Sequence, residues 1–163
     1  FDKVAKILEL GYPGGPLIEQ IAKQGDPRKI KFGCSNTNNP LDFSFSGIKT
    51  AVLYKARDQK LNTKTQKAHI AASFQETAID TLIRKSLLAC KHKKVRQLAV
   101  GGGVIANSRL RDKFLVEARK DKISCYFPQR EFCTDNAAMV AGLGYKLFKK
   151  GYISDLFLSP DLC

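Results

Sequence analysis

LAVGGGVIANSRLR, residues 98–111, decides how the chain is read. A short apolar run stops at three glycines, and a helical pattern begins within a few residues. Glycine is costly to order, so a run of it marks backbone that must stay free of side chains. Read as strand, glycine turn and helix, the stretch bares backbone N–H groups at Gly101, Gly102 and Gly103 beside a helix N-terminus. That geometry suits a phosphate or a ribose. Gly101, Gly103 and Ala106 also match the dinucleotide pattern G-x-G-x-x-A, with Asp121 about 20 residues on. Two features oppose that match. Asp121 precedes the next strand candidate instead of ending it, and the chain offers about three strand candidates where the dinucleotide fold has six. No G-K-[ST] occurs, so a Walker loop is absent. Asn107, at the helix start, has two open readings: a helix cap, or an amide that hydrogen-bonds the base or sugar of a nucleotide.

Working outward, VRQLAV (95–100) reads as a strand buried on both sides, and ISCYF (123–127) as a second short strand. A helix over about 107–120 lies between them, with Leu110, Phe114, Leu115 and Ala118 inward. Residues 65–91 form the longest periodic segment, placing Ile70, Phe74, Thr77, Ala78, Leu82 and Leu88 near one face of a buried helix. Upstream, Phe1, Val4, Ala5 and Leu8 share a helical stripe that Gly11 ends. YPGGP (12–16) is a rigid turn, and a helix starts at Pro16 and runs to Gly25. GDPRKIKFGCSNTNNP (25–40) reads as a surface loop or edge hairpin, LDFSFSG (41–47) as a short alternating strand, and 48–60 as a helix. TDNAAMVAGLGYKLFKKG (134–151) reads as a helix with Thr134 or Asp135 at its N-cap and Gly151 past its end.

The composition, 44% hydrophobic and 26% charged over 163 residues, is that of one globular domain. The 28 basic residues against 15 acidic give a formal +13, which points to a polyanion, nucleic acid first. The apolar stretches fall well short of the ~20 residues of a membrane helix. Five cysteines at 34, 90, 125, 133 and 163 include no C-x-x-C, which argues against a disulfide framework and for a reducing, cytoplasmic setting. The chain opens on Phe-Asp-Lys inside a helical pattern, as expected of the C-terminal part of something longer. Of the chemistry-bearing side chains, His69 and His92 show no ligand spacing, and Cys133 has no suggested histidine partner. Asp135 is open between a helix cap and a metal carboxylate.

Five blocks then stand in order: FDKVAKILELGYPGGP, DFSFSGIKTAV, IAASFQETAIDTL, LAVGGGVIANSRLR and EFCTDNAAM. Together they resemble the C-terminal half of the TsaD family, the tRNA N6-adenosine threonylcarbamoyltransferases, in its bacterial form. The resemblance implies an α/β, helix-rich lobe of an actin-like, Hsp70-like (ribonuclease H-like) two-lobed fold, with residues 1–163 as one C-terminal lobe and a nucleotide cleft between the lobes. It implies transfer of threonylcarbamoyl from threonylcarbamoyl-adenylate to N6 of the adenosine beside the anticodon in tRNAs that read ANN codons. It further implies tRNA as partner, with TsaB-like and TsaE-like proteins, and no membrane. Asp2 of FDK, Gly15 of PGGP and Asn107 match the family's substrate contacts; with Gly101 to Gly103, read above from the glycine turn, they form the expected nucleotide site, and the nucleotide ligand is the adenylate or ATP. Asp135 of CTDN matches a ligand to a divalent metal, iron or zinc.

The family's other metal ligands lie in an H-x-x-x-H motif that this chain lacks, so the chain on its own is expected to be inactive, with no metal or only a weakly held one. The alternative is a non-catalytic nucleotide-binding scaffold or regulator of the same fold. A metalloprotease, suggested by the family's older name, glycoprotease, lacks any H-E-x-x-H here.

Overall fold

The longest helix organises the molecule, and its ends are written in local sequence. In the computed structural model, which describes residues 1–34, 37–58, 63–155 and 157, Thr63 closes a capping box. Its hydroxyl accepts from the Gln66 N–H at 3.2 Å while the Gln66 side chain accepts from the Thr63 N–H at 3.3 Å. Four helices precede the sheet: α1 (Asp2–Ile7), α2 (Gly14–Ala22), α3 (Ser46–Asp58) and α4 (Lys64–Lys93), the last of 30 residues. α4 stops at Lys94 in the left-handed region, with Lys91, His92 and Lys93 in its last turn, where cations suit the helix dipole. The sequence places this helix over 65–91.

Two cores sit along α4. Its first half is wrapped by α1, α2 and α3 through Val4, Leu8, Ile18, Ile48 and Val52 against Ile70 and Phe74. Its second half, through Ile79, Ile83 and Leu87, packs on Leu110, Phe114 and Ala118 of α5 (Ser108–Lys120). Covered on successive sides, α4 buries Ala72, Ile79 and Ile83 as well as the expected Ile70, Phe74 and Ala78. Leu82 and Leu88 are only half-buried.

The sheet has two described strands, β1 (Gln97–Ala99) and β2 (Ser124–Tyr126), which pair in parallel with Leu98 opposite Cys125. α5 joins them, so β1–α5–β2 is one crossover unit. α6 (Ala137–Lys149) follows.

The expectation of a strand buried on both sides is corrected. Leu98 and Val100 pack on the second core, but Gln97 and Ala99 are exposed, because no described element covers the other face of the sheet. LDFSFSG is not a strand. Its chain is strapped to α4 by the buried Lys85, whose ammonium donates to the Thr37 hydroxyl at 3.1 Å and to the Asp42 carbonyl and lies 5.7 Å from the Phe43 ring. α3 then begins at Ser46. α2 starts at Gly14, two residues before the expected Pro16, which the first turn of a helix tolerates. Neither Thr134 nor Asp135 caps α6; Asn136 does, accepting from the Met139 N–H at 3.0 Å. Residues 25–34 are loop, as expected, while the last two residues of the 48–60 segment lie outside the described residues.

Candidate nucleotide site

β1 and β2 stay joined as far as the Val100 N–H, which donates to the Tyr126 carbonyl at 3.0 Å. Beyond it the chain passes through Gly101 and Gly102 into a single 3-10 turn, Gly103–Ala106, and then into α5. Gly102 has φ +94°, which side chains other than glycine's rarely accept. A Cβ added at Gly101 would meet nothing within 4 Å, and one at Gly103 would meet only the Thr134 methyl at 3.8 Å. Packing among the described residues therefore does not require glycine at 101 or 103. Their effect is open space directly above the backbone.

The facing wall comes from α1 and α2. The Asp2 carboxylate accepts from the Gly14 N–H at 2.8 Å, which draws the start of α2 onto α1. A Cβ at Gly14 would lie 2.5 Å from the Asp2 Cα, whereas one at Gly15 would meet nothing. Of the two glycines in PGGP, the first is required by helix contact and the second opens toward solvent.

Between these walls lies a hollow of about 440 Å³, lined by Asp2, Gly15 and Glu19 on one side and Gly103, Asn107 and Thr134 on the other. A second hollow of about 800 Å³ adjoins it, sharing Phe1, Asp2, Gly103 and Val104 and adding Gly101, Gly102, Phe45 and Lys49. All six residues expected to contact a nucleotide thus line one of two connected hollows. Asp135 lines neither, although its neighbour Thr134 lines the first.

Asn107 is a helix cap: its Oδ1 accepts from the Leu110 N–H at 2.9 Å. Its Nδ2 also donates to the Gln75 Oε1 at 2.8 Å, and the residue is 8% exposed. An amide nitrogen has two protons, so one remains for a ligand.

Two residues of the site escape sequence reasoning. Gln75 is a buried polar residue on α4 that fixes which way the Asn107 amide faces. Its only signal is a glutamine among the apolar positions of IAASFQETAIDTL. Glu19 accepts from the Ser108 N–H at 3.0 Å, tying α2 to the first turn of α5 and so one wall to the other. No spacing announces it.

Part of the positive charge is spent inside the chain. Arg111 is turned inward, onto the carbonyls of Ile105 and Pro128. Lys91 pairs with Asp121 at 2.7 Å and Arg109 with Glu76 at 2.8 Å, while Lys93 and Lys94 stay exposed. Burial pushes the Glu76 carboxyl up, but hydrogen bonds and charge from Arg109 and Lys113 outweigh it and hold the group below the usual carboxylate range. His69 is structural, its Nδ1 accepting from the Asp26 N–H at 2.9 Å.

The Asp135 carboxylate is exposed, and it is not occupied with capping. Among the described residues no three His, Cys, Asp or Glu side chains converge as a metal site. A single carboxylate does not hold a catalytic ion, which takes about three protein ligands. The residues of this chain therefore do not by themselves fit the metal that the resemblance implies.

Comparison with known proteins bears on the same residues. The family model of TsaD, tRNA N6-adenosine threonylcarbamoyltransferase, matches residues 1–142. The enzyme of that name from Dictyoglomus turgidum is 50% identical over 165 aligned positions, covering 99% of this chain and 49% of that protein. The Thermosipho africanus enzyme is 48% identical over 99% of this chain and 50% of its own length, and that of Thermotoga neapolitana 44% over 99% and 49%. The chain spans about half the length of the curated relatives it matches. A glycine turn facing Asp2 and Gly15, the helix-capping Asn107 and a family match that contains all of them lead to one conclusion: the chain belongs to the TsaD family of tRNA N6-adenosine threonylcarbamoyltransferases.

Proposed function

We propose that this chain forms one wall of the cleft in which threonylcarbamoyl passes from threonylcarbamoyl-adenylate to N6 of the adenosine beside the anticodon in tRNAs reading ANN codons. The observation that carries the reading is the convergence of Asp2, Gly15, Gly103 and Asn107 on one hollow with open space above the glycines. The helix-rich α/β arrangement with its parallel crossover supports residues 1–163 as the C-terminal lobe of an actin-like, ribonuclease H-like fold.

In this reading the adenylate lies across Gly101 to Gly103, where the backbone can approach a ligand closely. Asp2 accepts from its ribose hydroxyls, and the spare Asn107 amide proton donates to its base or sugar. These contacts hold the reactive carbonyl still while the acceptor N6 approaches, and positioning of this kind supplies much of the rate of a group transfer. N6 attacks the carbamoyl carbon, the bond from that carbon to the phosphate oxygen breaks, AMP leaves, and the N6 proton passes to solvent. Asp135 contributes one carboxylate toward an iron or zinc ion whose remaining ligands lie outside this chain.

The +13 charge supports tRNA as the partner, with Lys93 and Lys94 among the groups free to meet its backbone. TsaB-like and TsaE-like proteins complete the proposed assembly, in the cytoplasm. No helix among the described residues is long and apolar enough to cross a membrane.

The test is a full-length relative in which this chain replaces the matching half, supplied with threonylcarbamoyl-adenylate and an ANN-reading tRNA. The modified nucleoside should accumulate, and Asn107→Ala should weaken adenylate binding by about 1–3 kcal/mol. Binding that falls linearly with log salt is expected for the tRNA. Adenylate binding with no transfer would favour the non-catalytic scaffold.

A further inference from the structure

Arg111 lies in the first turns of α5, and the mechanism above gives it no role. Its side chain nevertheless reaches two other segments beside the first hollow. Nε donates to the Ile105 carbonyl at 2.6 Å. Nη2 donates to the Pro128 carbonyl at 2.7 Å and to the Cys133 sulfur at 3.0 Å. The guanidinium also lies 5.5 Å from the centre of the Phe127 ring. Ile105 belongs to the 3-10 turn after β1, whereas Phe127, Pro128 and Cys133 belong to the segment after β2.

Those two segments carry Gly103 and Thr134, neighbouring parts of the lining of the first hollow. The strand ladder joins them only as far as Val100 and Tyr126. Past that point, among the described residues, one further side-chain hydrogen bond crosses to the later segment, from Arg130 Nη2 to the Ser108 hydroxyl at 2.9 Å, and it is exposed to water, while the Phe127 ring packs edge-on against Phe114 of α5 at 6.0 Å. The Arg111 link is part-buried, and its planar fork presents Nε and Nη2 in fixed directions, which a lysine cannot reproduce. With three of its five N–H groups committed to protein acceptors and its side chain turned inward, this cation is also poorly placed to serve as a phosphate contact on the surface.

We infer that Arg111 is a positioning residue: it holds the 127–134 segment against the Gly103–Ala106 turn and so sets the lining of the first hollow. The consequence for ligand binding rests on the nucleotide reading proposed above.

Cys133 supplies the readout. Its thiol is 3% exposed, accepts from Arg111 and donates to the Gln129 carbonyl at 3.4 Å. Cys90, also 3% exposed, lies in α4 and serves as an internal monitor of the whole fold. Iodoacetamide labelling followed by peptide mass spectrometry gives a rate for each cysteine, in the wild-type chain, Arg111→Lys and Arg111→Ala. Loosening of the segment should raise the Cys133 rate ~10-fold or more in both variants, with the Cys90 rate unchanged, because only local opening is then involved. Calorimetric titration with AMP should show affinity falling ~10-fold in Arg111→Lys, the loss expected when a positioned polar contact is misplaced.

An unchanged Cys133 rate in both variants overturns the inference. So does a parallel rise at Cys90, which would make Arg111 a general stabiliser of the fold. A faster Cys133 with unaltered AMP affinity overturns its role in the hollow. Failure of the wild-type chain to bind AMP would count against the nucleotide reading, and the labelling rates would still decide the clamp.

Discussion

α4 and α6 are both helices closed by sequence-encoded ends, yet they differ completely in what surrounds them. α4 is sheathed by α1, α2 and α3 along one half and by α5 and the sheet along the other, and it buries fourteen of its 30 residues. α6 has only Lys146 and Lys149 charged among thirteen residues, and it buries none of them. Val140 is 73% exposed, and Leu143 and Phe148 are each 63% exposed. Helix formation and helix burial are therefore separable. A capping side chain, good helix formers and basic residues in the last turn suffice to write the element. Burial needs a second surface of matching shape.

The same contrast recurs in the two asparagine caps. Asn107 spends both ends of its amide inside the protein, on Leu110 and Gln75. Asn136 caps α6 through the Met139 N–H, and its amide nitrogen donates to the Thr134 carbonyl at 2.9 Å, all at the surface. An identical residue in an identical local role thus has different consequences in the two places.

The comparison breaks or sharpens through five measurements. The largest effect is expected at the centre of α4. Ile79→Ala should cost about 2–5 kcal/mol in urea unfolding, the range for truncating a fully buried aliphatic side chain. Next comes Asn107→Ala, which removes a cap and strands the Gln75 carbonyl oxygen, for about 2–3 kcal/mol in the same assay.

Third is a pH effect at Glu76, which joins α4 to α5 through Arg109 and Lys113. Its carboxyl is lowered in the folded state, so its contribution is complete above the ordinary glutamate value of about 4.3 and fades as pH falls through the lower folded value. Stability measured against pH should decline through that acid window, and Glu76→Gln should flatten the decline. Asn136→Ala should cost only about 0.5–1 kcal/mol, detected as a small loss of helicity by circular dichroism. Smallest of all, Leu143→Ala on α6 and Asp135→Asn beside it should each leave chain stability within about 0.5 kcal/mol. A loss of about 2 kcal/mol or more for Leu143→Ala would show that α6 is covered in solution.

Much of the site was legible because its parts are contiguous. Gly101 to Gly103 and Asn107 fall within seven residues, and local rules of turn and cap describe them. Gln75 and Glu19 were not legible, since each acts across 32 and 89 residues of chain and no periodicity records such a pairing. The LDFSFSG strand failed for a related reason. Its alternation is real, but a strand is completed by a neighbour, and Lys85 of α4 holds this segment instead. Arg111 reads as a surface cation from composition and becomes internal only when two strand ends arrive beside it.

By itself, then, the sequence determined which stretches are helical, with ends off by a few residues in α2, α3 and α6, that a glycine turn follows a strand, and which family the blocks belong to. These depend on neighbours within a few positions, or on matching residue by residue. Only the tertiary structure decided that Gly14 is needed for contact while Gly15 faces open space, that Asn107 is shared between α5 and α4, and that one face of β1 and all of α6 lie uncovered among the described residues. Those outcomes depend on which distant surfaces meet. Burial and hydrogen-bond partnership are properties of pairs of segments, and a single segment's side-chain pattern carries only its own half of the pair.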